Sequence, residues 1–151
     1  MWDLSKESTS PEKIHQLSSD ARCVTSLDFS PDSRSLAVAG CSGAEIKELT
    51  TGQQAILLNG HNTDVIEMHY SSDGHYLVTG SEDGTAKVWD SQTGEELLSY
   101  SLAVPGSFSM VFFTPDDQNV VAFGEDGYYH LFAFQDFEKL VKVVKGRVKE
   151  E

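Results

Sequence analysis

One short stretch of the chain holds a histidine, two hydroxyls and an aspartate: His61, Thr79, Ser81 and Asp83. Hydroxyl, imidazole and carboxylate are the parts of a nucleophilic triad, in which the ring takes the hydroxyl proton and the carboxylate orients the ring. Such a triad also needs an exposed nucleophile beside an oxyanion hole, and the chain has no Gly-x-Ser-x-Gly elbow. A phosphate loop is excluded on similar grounds. Gly80-Ser81-Glu82-Asp83-Gly84-Thr85-Ala86-Lys87 lacks the Gly-x4-Gly-Lys-Ser/Thr spacing, and Glu82 and Asp83 would repel a phosphate. Asp116-Asp117 and Glu95-Glu96 read as turn and edge charges, since nothing places them in an apolar cleft. His69, His75 and His130 read as surface or strand-face residues, no metal-ligand spacing occurs, and no cofactor is implied. Cys23 and Cys41 make neither a disulfide framework nor a zinc cluster, and the expectation is two free, half-buried thiols in a reducing cytoplasm.

Composition narrows the classes further. The net charge of −13 is concentrated in residues 1–135, with 20 acidic and 6 basic side chains, whereas 136–151 carry 4 acidic and 5 basic. An acidic body disfavours nucleic acid as a partner. No apolar run approaches the roughly 20 residues that span a bilayer, and Met1 to Lys6 lack the basic-then-apolar order of a secretory signal. A cytoplasmic location is expected.

The elements that must position these residues repeat along the chain. Phe29-Ser30-Pro31-Asp32, Tyr70-Ser71-Ser72-Asp73 and Phe113-Thr114-Pro115-Asp116 recur at spacings of 41 and 43 residues. Each is followed by an apolar strand start, at Leu36, Leu77 and Val120, and then by a second landmark: Cys41-Ser42-Gly43, Glu82-Asp83-Gly84 and Glu125-Asp126-Gly127. Thr51-Gly52 and Thr93-Gly94 close two of the repeats. Val24–Phe29 and Val65–Tyr70 alternate at period two, as half-buried strands do, and Ser, Asp and Gly supply the turn chemistry between strands. Four short strands in about 40 residues make one propeller blade.

The run from Gly60-His61 through Gly80-Ser81 and Asp83-Gly84 to Val88-Trp89-Asp90 resembles a complete WD (tryptophan–aspartate) repeat. Its neighbours resemble degenerate ones. The first has Ala21-Arg22 for Gly-His, Ser42 at the turn aspartate and, after a one-residue deletion, Lys47 at the tryptophan; the third keeps Asp126 and has Phe132 there. Trp2-Asp3 resembles the end of a preceding repeat. The resemblance implies a hydrogen-bond network of His61, Asp83, Trp89 and a hydroxyl from Thr79 or Ser81, a structural role rather than catalysis. The physics suits it, because a buried indole N–H needs an acceptor and a hydroxyl can both accept and donate.

The expected fold is therefore all-β, a partial WD-repeat propeller. Residues 1–18 would end a preceding blade; 19–59, 60–101 and 102–134 would form three four-stranded blades; 135–151 would be a C-terminal helix. That helix is read from Phe137, Leu140, Val141, Val144 and Val148, which fall on one helical stripe behind Asp136 as N-cap. The ending, Asp136–Val141 and Val144–Val148, also resembles the tail of bacterial STAND-type nucleotide-switch proteins. Three blades cannot close a ring, so further blades in cis or an oligomer are expected to complete it. The expected function is a non-catalytic protein-interaction scaffold; the alternative is the sensory or autoinhibitory end of a STAND ATPase. The candidate partner-binding residues are Arg22, Asn62, Thr63, Asp64, Glu82 and Glu125, and their charge favours a basic protein or peptide.

Overall fold

The computed structural model describes residues 23–41, 43–49, 55–102 and 106–134. Among them the chain forms eleven strands and no helix. Strands β1 (Val24–Phe29), β2 (Ser35–Gly40), β3 (Gly43–Glu48) and β4 (Ile56–Leu58) make one antiparallel sheet in chain order. Strands β5 (Val65–Tyr70), β6 (Tyr76–Ser81), β7 (Thr85–Asp90) and β8 (Glu96–Ser101) make a second. Strands β9 (Phe108–Phe113), β10 (Asn119–Gly124) and β11 (Tyr129–Ala133) make a third sheet, of three strands among the described residues. The preceding half-blade at 1–18, Arg22 and the helix at 135–151 lie outside the described residues.

The sheets stack face to face because the middle one is apolar on both sides. Leu77 and Trp89 point toward the first sheet and pack with Ala37, Ala39, Ile46 and Leu58. Val78, Ala86 and Val88, one residue out of phase, point toward the third and pack with Phe108, Val111, Val120 and Ala122. Two buried faces account for the nearly unbroken burial of β6, where a half-exposed strand would alternate. Gly80 marks a close approach: a Cβ there would lie 2.9 Å from Val111 Cγ1 and 3.3 Å from Phe108 Cβ.

The repeated Ser/Thr-x-Asp landmark is one turn built three times. Ser30, Ser71 and Thr114 each donate a hydroxyl hydrogen bond to the aspartate two residues on, at 2.6, 2.7 and 2.6 Å. The same aspartates accept from the backbone N–H of Arg34, His75 and Gln118. These hydrogen bonds hold the exposed Asp32 and Asp116 carboxyls below their ordinary range, led by the hydroxyls of Ser30 and Thr114. The residue after each aspartate has a left-handed backbone, with φ of 59° at Ser33, 74° at Gly74 and 51° at Asp117.

The innermost strands β1, β5 and β9 lie side by side and are joined by side chains, with no ladder between them. The Ser26 hydroxyl accepts from the N–H of Met68 at 3.3 Å, and the Glu67 carboxylate accepts from the N–H of Val111 at 3.1 Å. Asp28 likewise accepts from the N–H of Tyr70 at 2.8 Å. Substituting Gly80→Val should force the second and third sheets apart and lower stability by about 1–3 kcal/mol, the usual cost of overpacking a close contact. Urea unfolding followed by tryptophan fluorescence measures it, and an unchanged midpoint would contradict this packing.

Candidate functional site

The antiparallel order puts the β2–β3, β6–β7 and β10–β11 turns at the same edge as the segments that lead into β1, β5 and β9. At each junction the first turn residue donates its N–H to the carbonyl of the incoming segment. Cys41 bonds Cys23 at 3.3 Å, Glu82 bonds Asp64 at 3.1 Å, and Glu125 bonds Ser107 at 3.0 Å. Asn62, Thr63, Glu82 and Glu125 are exposed on this edge and Asp64 is half-buried. The structure thus gathers Asn62, Thr63, Asp64 and Glu82 at one junction and puts Glu125 at the next.

Beneath the middle junction runs a relay of side chains. Trp89, fully buried, donates from Nε1 to Thr79 Oγ1 at 2.8 Å. Thr79 Oγ1 lies 2.6 Å from His61 Nε2, and His61 Nδ1 lies 3.1 Å from Asp83 Oδ2. The hydroxyl that bridges ring and indole belongs to Thr79. Ser81 acts separately, donating to the Asp64 carbonyl at 2.8 Å and meeting the Thr63 hydroxyl at 3.2 Å. Each group finds a partner if His61 is neutral with its proton on Nδ1. Indole N–H then gives to Thr79, Thr79 gives to Nε2, and Nδ1–H gives to the carboxylate.

The electrostatics favour that state. Burial pushes the His61 pKa below its ordinary value of 6.5 and outweighs the opposing pull of Asp83. Burial alone would raise Asp83, yet hydrogen bonds from the Thr85 hydroxyl, the Asn62 N–H and His61 bring it down to about 2. The His61 side chain is 1% exposed. The described geometry therefore offers the Thr79 oxygen to Trp89 and His61, both inside the sheet stack.

The pairing registers show what became of this relay in the other sheets. Leu36 faces Lys47, Leu77 faces Trp89, and Val120 faces Phe132, so these three residues occupy one position. Lys47 meets Glu45 at 3.2 Å, and Phe132 stacks on Tyr100 with ring centroids 4.4 Å apart. In the third sheet Asp126, in the β10–β11 turn, takes its histidine from β11 of the same hairpin, His130 Nε2, at 3.0 Å. His69 is partly exposed between Asp28 and Glu67, at 3.4 and 3.5 Å.

The cysteines require a correction. Cys23 and Cys41 are joined in a disulfide, with Cα atoms 5.6 Å apart, instead of standing as free thiols. The cause is the register. Val24 pairs with Gly40, so the residues just beyond them meet at the junction, where glycine lets the Cys23 carbonyl approach closely. Cys23, Cys41 and Asp64 also place their ligand atoms within 4.8 Å of one another, a juxtaposition made across the fold and not by spacing along the chain. Both sets were readable by adding one repeat: 41 residues on, Cys23 becomes Asp64 and Cys41 becomes Glu82.

The family model described as WD domain, G-beta repeat matches residues 11–44 and 52–90. Over these two segments the chain carries WD repeats. Target of rapamycin complex subunit wat1 of Schizosaccharomyces pombe is 36% identical over 84 residues, 54% of this chain and 27% of that protein. Jouberin of Rattus norvegicus is 30% identical over 116 residues, 74% of this chain and 11% of its own length. Target of rapamycin complex subunit LST8 of Bos taurus is 24% identical over 111 residues, 72% of this chain and 34% of that protein. The matches span about a third or less of these relatives. The stacked antiparallel sheets are consistent with WD propeller blades, and the middle one, with its His61-to-Trp89 relay, is the most complete.

The relay has two measurable consequences. Thr79→Val strands a buried indole N–H and should cost about 1–3 kcal/mol in chemical denaturation. Because the folded pKa of His61 is depressed, the unfolded chain binds the extra proton. Stability from this group is therefore complete above about pH 6.5 and is lost as pH falls below it. Asp83, ionised down to about pH 2, does not titrate in that window. In His61→Gln the decline of the urea midpoint from pH 6.5 downward should flatten; a profile parallel to that of the unaltered chain would show that His61 is not its source.

Proposed function

We propose that this WD-repeat chain is a non-catalytic scaffold that holds a protein partner, and that the junction edge of the blades carries the contact. The observation behind this reading is the juxtaposition of exposed Asn62, Thr63 and Glu82 with Asp64 on a segment pinned by three hydrogen bonds. Exposed polar groups on a rigid mount are what recognition needs, because little ordering entropy is lost when they bind. Glu125, at the next junction, extends the acidic edge, and a net charge of −13 favours a basic partner. Two of the relatives are by name subunits of target of rapamycin complexes, in keeping with a role inside an assembly.

The His61–Thr79–Asp83 constellation speaks against an enzyme reading of the same residues, since Thr79 is fully buried. The outer faces of the end blades expose Leu27 and Phe29 on one side and Met110, Phe112 and Leu131 on the other. Such faces suit further blades in the same chain or a second copy, which would complete a ring. The nucleotide-switch alternative rests on residues 136–148, outside the described residues, and no described residue favours it.

The reading is tested with the full chain immobilised against an array of Lys/Arg-rich and neutral peptides. Basic peptides should be retained at low salt, and the double substitution Asp64→Lys, Glu82→Lys should reduce retention at least about tenfold. Retention that is equal for the two proteins would remove these residues from the site.

A further inference from the structure

We infer that Cys23, Cys41 and Asp64 form a redox-gated site for a thiophilic divalent cation of the zinc class, closed by the disulfide and opened by its reduction. Two sulfurs and a carboxylate oxygen already lie within 4.8 Å of one another. In a tetrahedral zinc site, bonds of about 2.3 Å to sulfur and about 2.0 Å to oxygen put sulfurs roughly 3.8 Å apart and sulfur and oxygen roughly 3.5 Å apart. Parting the two sulfurs by a small rotation of each side chain reaches that spacing without moving a strand.

The ligands are carried by a braced frame. Cys23 and Cys41 flank the β1–β2 pairing and are tied by the Cys41 N–H to Cys23 carbonyl bond. The Asp64 backbone is held from the other side by the Ser81 hydroxyl and the Glu82 N–H. Cys41 is exposed, so a reductant can reach the bond, and the outward side leaves a fourth position for water. Thiolate ligands select zinc-like ions over magnesium or calcium, which prefer oxygen.

The chemistry balances in two steps. A dithiol attacks one sulfur of the Cys23–Cys41 bond and is itself oxidised to a disulfide, passing two electrons and two protons to leave two thiols. The cation then displaces both thiol protons to solvent and binds two thiolates and the Asp64 carboxylate. The covalent link is thereby exchanged for another. The disulfide ties one blade to itself, whereas the metal would join the first blade to the segment entering the second.

The test uses the full chain, reduced with a dithiol and freed of it without air, then titrated with Co²⁺, whose thiolate complexes absorb in the near ultraviolet. A thiolate-to-cobalt band should saturate near one equivalent and be displaced by Zn²⁺, and the oxidised chain should give none. Cys41→Ser, at an exposed position, should abolish the band with the far-ultraviolet spectrum unchanged. Asp64→Asn should weaken cobalt binding at least about tenfold. No band in the reduced chain, an undiminished band in Cys41→Ser, or Asp64→Asn binding as tightly as the unaltered chain would overturn the site. Peptide retention by the junction edge is read separately, so either proposal can fail alone.

Discussion

A buried indole N–H has no water to turn to, and the arrangement of the middle blade follows from meeting that need. Trp89 is fully buried because it fills the space between two blades. Its N–H must find an acceptor within the sheet, and Thr79 on the neighbouring strand supplies it. Thr79 in turn needs an acceptor for its own proton, which brings in His61 from the incoming segment and then Asp83 from the turn. One unsatisfied donor in the interior thus fixes the path of a surface segment. It also fixes where Asn62, Thr63 and Asp64 stand.

The flanking blades meet the same geometric requirement by other means. Where Lys47 replaces the tryptophan there is no indole to satisfy, and the hairpin is one residue shorter. Phe132 removes the donor altogether and leaves aromatic stacking in its place. The relay is therefore optional for a blade, while the Ser/Thr-x-Asp turn, present in all three, is not. That turn closes a strand pair by hydrogen bonds between residues of its own hairpin.

Legibility in the sequence follows this division. Turns and strand order depend on residues two to five apart, so they can be read directly. Trp89 and its relay could be placed because the repeat supplied the pairing, although only the structure chose Thr79 over Ser81. The cysteines were misread because each was considered by its own compartment and spacing, without asking which repeat position it held. The capping of the Val111 N–H by Glu67, 44 residues earlier, leaves no mark in composition or period.

The side-chain links between innermost strands have a direction. Ser26 on the first blade receives the N–H of Met68 on the second, and Glu67 on the second receives the N–H of Val111 on the third. In each link the side chain lies on the earlier strand and the backbone group on the later one, so the blades stack head to tail, with chemically different ends. At the corresponding position the third blade presents Met110, half exposed, whose thioether is a poor acceptor. A blade that stacks beyond it would have to satisfy that inner N–H by itself. The seam is polar through two junctions and ends on an apolar face, where any further blade would be matched by shape and apolar area instead of by a hydrogen bond.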